Sequence, residues 1–177
     1  QIWNGSSWDD ILGETDLNYA PGALTATTKY RLTQTDTYCD PDQVVYTNFV
    51  TITVHGALAA GTAGTAQTIC NGETPAGLSA GAPAGGSGTF TYQWQIWNGS
   101  SWDDISGENN LNFSPGALTA TTKYRLVQTD TYCDPDQVVY TNPVIITVYD
   151  ALVPGTAGSD QAICYGATPT GLSSGAP

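Results

Sequence analysis

The sequence runs to 177 residues, of which only 11% are charged, and 16 acidic side chains stand against 4 basic ones for a formal net charge of −12. That balance argues against nucleic acid, whose phosphates need a basic patch to release counterions, and against docking on anionic lipid. It suits a soluble surface that repels its own copies. No apolar run reaches the length of a membrane span, and no charged-then-apolar leader is visible. There is no Met, not even at position 1, so a section of a longer chain or a processed product is expected.

The first ten residues, Gln1-Ile-Trp-Asn-Gly-Ser-Ser-Trp-Asp-Asp, return letter for letter from Gln95. The offset of 94 then holds without a gap to Pro83 against Pro177, and 64 of the 83 paired positions are identical. Residues related by this offset are called twins below. The small-residue stretch at 57–64 and its twin at 151–158 mark the boundaries. Residues 1–58 are then the C-terminal part of one repeat, 59–152 a complete repeat, and 153–177 the N-terminal part of the next. A period of this length is too long for a helical solenoid and fits a self-contained sandwich domain.

Within the complete repeat, short runs of Thr, Val, Ile, Tyr and Trp alternate with Gly, Pro, Asn and Asp, and no helical periodicity is sustained. The pattern predicts an all-β fold of seven strands, at 66–70, 75–80, 88–97, 101–105, 110–114, 121–130 and 138–149. Alternation assigns their faces. Phe90, Tyr92, Trp94 and Ile96 point to the core, with Tyr124, Leu126, Val144, Ile146 and Val148 from later strands. Asn98-Gly99 signals a hairpin turn. Any even-length loop there puts Trp102 and Asp104 on the face of Trp97, opposite Trp94. Positions assigned outward drift between copies, Val127 against Thr33 and Tyr149 against His55, as exposed sites can.

The order of motifs carries a resemblance: Gln-x-Ile-Cys-x-Gly at 67–72, Tyr-Gln-Trp-Gln at 92–95, Trp-Asp-Asp-Ile-Ser-Gly at 102–107, Ser-Pro-Gly-Ala-Leu-Thr at 114–119, and Thr-Lys-Tyr-Arg at 122–125. With Cys133 and Asn142-Pro-Val-Ile-Ile-Thr-Val after them, the unit resembles the Ig-like or PKD-like tandem repeats of giant Bacteroidota cell-surface proteins exported by the type IX system. The resemblance implies a non-catalytic extracellular scaffold, the stalk or fibre of an adhesin. It supplies no catalytic residue.

Four Cys at matched positions in an acidic β-protein suggest disulfides and an oxidising, extracellular compartment. A zinc site lacks any Cys-x-x-Cys pair. The expected bond joins Cys70 to Cys133 within one unit, because each domain must fold before its neighbour exists; Cys39 and Cys164 then pair with neighbouring repeats. A bond between Cys39 and Cys70, bridging consecutive units, is the competing scheme.

Catalysis fails on inventory, since the sole His, His55, has Tyr149 as its twin and a triad or metal site needs a positioned His or substitute. No cofactor is expected. Calcium at the Asp134-Pro135-Asp136 turn is a minor reading. Lys123 is assigned outward, which argues against an isopeptide bond. The candidate surface patch gathers Trp97, Trp102, Asp104, Lys123 and Arg125. It is expected either to satisfy itself, with Arg stacked on Trp and paired to Asp, or to bind glycan or a neighbouring fibre strand. The expected partners are therefore neighbouring repeats, glycans or other cell surfaces. A third reading is a filament subunit in which neighbouring chains complete each other's sandwich by strand addition.

Overall fold

A computed structural model describes residues 1–176, and they form an all-β chain with no helix. The first copy contributes β1 (Ile2–Trp3), β2 (Trp8–Asp9), β3 (Thr28–Tyr30), β4 (Thr33–Asp36), β5 (Gln43–Tyr46) and β6 (Val50–Ile52). The segment between copies forms β7 (Gly56–Ala59). The second copy holds β8 (Gln67–Cys70), β9 (Leu78–Ser79), β10 (Ala84–Gly86), β11 (Phe90–Trp97) and β12 (Trp102–Asp104). It continues with β13 (Asn112–Phe113), β14 (Thr122–Asp130), β15 (Gln137–Tyr140) and β16 (Val144–Tyr149).

In the second copy the main sheet has the order β12-β11-β14-β16-β8, with β15 also paired to β14, and β9 pairs with β13 in a small second sheet. The last strand, β16, runs antiparallel to β14 and parallel to β8, with Tyr149 opposite Cys70. Both sheets contribute to one core: Leu78 and Phe113 from the small sheet close on Trp94, Tyr124, Leu126, Val144 and Ile146 from the large one. Trp94 is wholly buried, its indole N–H donating to Asn110 O at 2.9 Å. Val148 is also buried, while Ile96 is half-buried and packs against the cluster. Gly61 lies so near the Gly81 carbonyl that a Cβ would come within 2.1 Å of its oxygen. The start of the unit thus needs glycine for close approach, not for a turn.

The run at 138–149 is two strands, not one. The break recurs between β5 and β6, where Phe49 stands in place of Pro143, and it is satisfied locally. Thr141 N–H donates to Leu126 O at 3.0 Å, and Leu126 N–H donates to Thr141 Oγ1 at 3.0 Å. Asn142 Oδ1 accepts Ala63 N–H at 3.0 Å. The run at 75–80 shortens to Leu78–Ser79. Two strands, β7 and β10, fall where small residues and glycine had suggested only connections; they pair antiparallel, Ala84 with Ala59 and Gly86 with Gly56.

That pairing shapes how the chain divides. One compact unit is Gln1–Ala60 with Pro83–Thr91 and Gln128–Val139; the other is Gly61–Ala82, Tyr92–Val127 and the chain from Tyr140 onward. In the third, partial copy the Gln161 side chain clamps Thr170, accepting its N–H at 2.8 Å and donating to its carbonyl at 3.0 Å. Gln67 clamps Ala76 in the same way.

Candidate functional site

The hairpin joining β11 to β12 is set by Asn98. Its Oδ1 accepts the N–H groups of Ser100 and Ser101 at 2.9 and 2.8 Å, and its Nδ2 donates to Ser101 Oγ and to Asp103. Asn side chains favour such local turns because they hydrogen-bond the backbone a few residues on. Gly99 takes φ 105°, a conformation that L side chains rarely adopt. The resulting register places Gln95 opposite Asp104 and Trp97 opposite Trp102.

From this register a ladder follows. The Trp97 and Trp102 rings lie 5.4 Å apart at 59°. The Arg125 guanidinium stacks over Trp102 at 4.5 Å and over Tyr140 at 4.2 Å. Its Nε donates to Gln95 Oε1 at 2.7 Å, and Gln95 Nε2 donates to Asp104 Oδ1 at 2.8 Å. The link from arginine to carboxylate therefore runs through Gln95. Burial lowers the guanidinium pKa from its ordinary value, an effect the Tyr140 hydroxyl opposes, and the group remains cationic at neutral pH. Lys123 is exposed.

The first copy repeats this arrangement. Trp3 and Trp8 lie 5.4 Å apart, Arg31 sits over Trp8 at 4.5 Å and over Tyr46 at 4.0 Å, and Gln1 bridges Arg31 to Asp10. Tyr140 is the member that sequence reasoning missed. Gln-Val-Val-Tyr recurs unchanged at 43–46 and 137–140, but its place beside Arg125 depends on the β15–β16 break.

A second locus lies where one copy meets the next. Leu58 of β7 is buried at 9% exposure, and its N–H donates to Gln137 Oε1 at 2.8 Å. The His55 ring packs edge-on against Tyr132 at 4.8 Å. Beneath them Asp130, fully buried, accepts the Ser87 N–H, the Ser87 hydroxyl at 2.7 Å and the Tyr132 N–H at 3.0 Å. The Ser87 backbone bond, above all, holds the Asp130 carboxyl below its ordinary pKa, with the nearby His55 adding to the effect. Gly86, at φ 61°, leaves no room for a Cβ against that carboxylate and Leu58. Leu152, the twin of Leu58, is 85% exposed.

The expected Cys70–Cys133 bond is not formed, and all four cysteines are free thiols. The reason is the strand between them. Cys70 sits opposite Tyr149, at the end of β16 that flanks Thr122, the first residue of β14. Cys133 comes three residues after Asp130, the last residue of that nine-residue strand. Such a strand spans roughly 30 Å, whereas a disulfide needs Cα atoms about 4.4–6.8 Å apart. Among the described residues no group of three His, Cys, Asp or Glu gathers as a metal site, and no helix is long and apolar enough to cross a membrane.

Residues 3–56 and 59–150 both match one family, described as a domain of unknown function, DUF8696. The chain belongs to that family. Each DUF8696 match falls on one copy of the repeat, the first on its C-terminal part and the second on the complete unit. No curated protein and no solved structure matches the chain.

Proposed function

We propose that the chain is a section of a non-catalytic extracellular stalk or filament, built from tandem Ig-like sandwiches and belonging to a bacterial surface adhesin. The observation that carries this reading is the junction: β7 zips onto β10, Leu58 is buried and His55 meets Tyr132. A linker that merely tethered two domains would be flexible and solvated. Pairing the connecting segment to the incoming unit restricts bending and suits a load-bearing rod. The Ig-like assignment draws support from a main sheet that extends past β14 to β11 and β12, faced by a small sheet, with a buried Trp94 at the centre. Leu126 stands two residues after the core tyrosine, where antibody domains have a cysteine, so packing replaces the central bond.

The test is small-angle scattering on the chain lengthened by a second copy of residues 84–152 after Pro177, which completes the third unit. Each added unit should extend the particle by about 30 Å, the length of its longest strand. A compact particle would sink the stalk reading.

Two other readings have an observation each. The paired Trp97 and Trp102 are half-buried and duplicated as Trp3 and Trp8, which suits a glycan platform. Replacing both Trp97 and Trp102 with Ala and measuring glycan retention separates that role from a structural one, since unchanged binding leaves only the stalk. Strand addition between chains has a groove of about 330 Å³ in the first copy, lined by Ile11, Leu17, Tyr30, Leu32 and Ile52, whose twins line the closed core. Residues 153–177 are twins of the segment that covers it. A unit joined in that way would lack a twin of Trp94, so the continuous array is favoured.

A further inference from the structure

We propose that consecutive units are stapled covalently at each junction, Cys70 of one unit pairing with the twin of Cys133 in the unit that follows. The inference rests on the tandem-array reading and adds to it a specific cross-link.

The geometry comes from two observations made on different copies. In the complete unit, Cys70 on β8 sits directly opposite Tyr149 on β16, in parallel register. Neighbouring strands lie about 4.8 Å apart. The twin of Tyr149 is His55, and His55 packs against Tyr132 of the incoming unit with ring centroids 4.8 Å apart. Cys133 is the next residue. Translating one unit along the array thus brings the strand neighbour of Tyr149, which is Cys70, to the same junction as the following unit's Tyr-Cys pair. A disulfide needs Cα atoms about 4.4–6.8 Å apart, and both cysteines lie within one strand step or one residue of the same aromatic contact.

The exposure of the cysteines agrees. Cys133, whose hairpin meets His55, is half-buried and accepts a contact from Gln137 Nε2 at 3.5 Å. In the first copy the twin hairpin leaves Cys39 exposed and Tyr38 97% exposed. The scheme also accounts for four free thiols in this chain. Its cysteines are the twin pairs Cys39/Cys133 and Cys70/Cys164, and the partners of all four carry numbers below 1 or above 177. Neither an intra-unit bond nor a Cys39–Cys70 bond is needed.

The chemistry is thiol–disulfide exchange with a small-molecule disulfide such as oxidised glutathione. One cysteine thiolate attacks the oxidant to give a mixed disulfide and release one reduced thiol. The second cysteine thiolate displaces the other half, forming the protein S–S bond. Two protein thiols lose two electrons and two protons, and the oxidant becomes two thiols.

The test is oxidative refolding in a glutathione buffer, followed by mass spectrometry and non-reducing peptide mapping. The 177-residue chain should keep four thiols. The chain lengthened by a copy of residues 84–152 gains a fifth cysteine and should form one disulfide, from Cys70 to that appended cysteine. Cys70→Ser should abolish it, and Cys133→Ser should leave it intact. A Cys70–Cys133 bond in either chain, or five free thiols in the longer one, would overturn the staple. Scattering of the same longer chain judges the rod separately: an extended particle without the bond removes only the staple, while a compact one removes the array reading.

Discussion

Trp94 and Trp102 are the same residue type eight positions apart, yet they stabilise the unit by different means. Trp94 fills the space between the two sheets with no exposure, its N–H satisfied by Asn110. Trp94→Ala removes that burial and leaves a cavity, a change that costs about 3–5 kcal/mol in other cores. Trp102 is half-buried and acts through Arg125 above it. Arg125→Lys keeps the charge but loses the planar stack between Trp102 and Tyr140 and the directed bond to Gln95; the expected cost is about 0.5–2 kcal/mol. Urea titration followed by tryptophan fluorescence should rank the two in that order. Equal losses would mean that the outer ladder is as deeply structural as the core. Alternation along β11 and the Asn98-Gly99 turn were enough to assign both tryptophans to their faces. Nothing local marked Tyr140, because its face depends on where the chain breaks after it.

At the scale of elements, the β7–β10 pair and the Asp130 cap under it form one device. Asp130 holds the Ser87 N–H and hydroxyl and the Tyr132 N–H, so its folded pKa lies below the unfolded value. A depressed carboxylate contributes stability above the unfolded pKa, and that contribution is lost as pH falls through the folded value. The cap should therefore be intact at neutral pH and loosen through the acid carboxylate range, before the Trp94 core does. Hydrogen exchange at the Ser87 amide, followed from neutral to acid pH, should show protection falling with pH in the parent chain. Asp130→Asn should lower the protection at neutral pH and flatten its pH dependence. A parent profile without pH dependence would remove Asp130 from the role. These strands were illegible in the sequence for a physical reason. Ala, Gly and Ser carry no β-pattern, and Gly85 and Gly86 adopt φ of 75° and 61°, which suggests a turn. Only the arrival of β7 from the preceding copy makes the segment a strand.

Over the whole chain, equivalent sequences occupy unequal environments. Leu126 is fully buried, whereas its twin Leu32 lines an open groove and is half-exposed; Tyr124 and Tyr30 differ in the same sense. Local stability follows buried contacts, so the amide of Leu126 should exchange at least tenfold more slowly than that of Leu32 at neutral pH. Completing the first copy with residues equivalent to 59–94 should remove the difference. Equal protection in the 177-residue chain would mean that residues 1–56 are stabilised by something other than this core.

The sequence by itself determined the all-β character, the 94-residue period, the inward set from Trp94 to Val148, and the shared face of Trp97 and Trp102. Each follows from alternation along one strand or from comparing two copies, and neither needs long-range information. Tertiary structure decided what lies between elements. It split β15 from β16 where Thr141 bonds back to Leu126, turned the small-residue connection into a paired strand, and carried the arginine's hydrogen bond to Gln95. It also set Cys70 and Cys133 at the two ends of β14. Distance across a sheet is not encoded in residue order, and a cysteine count cannot tell a neighbour in the same unit from its twin in the next.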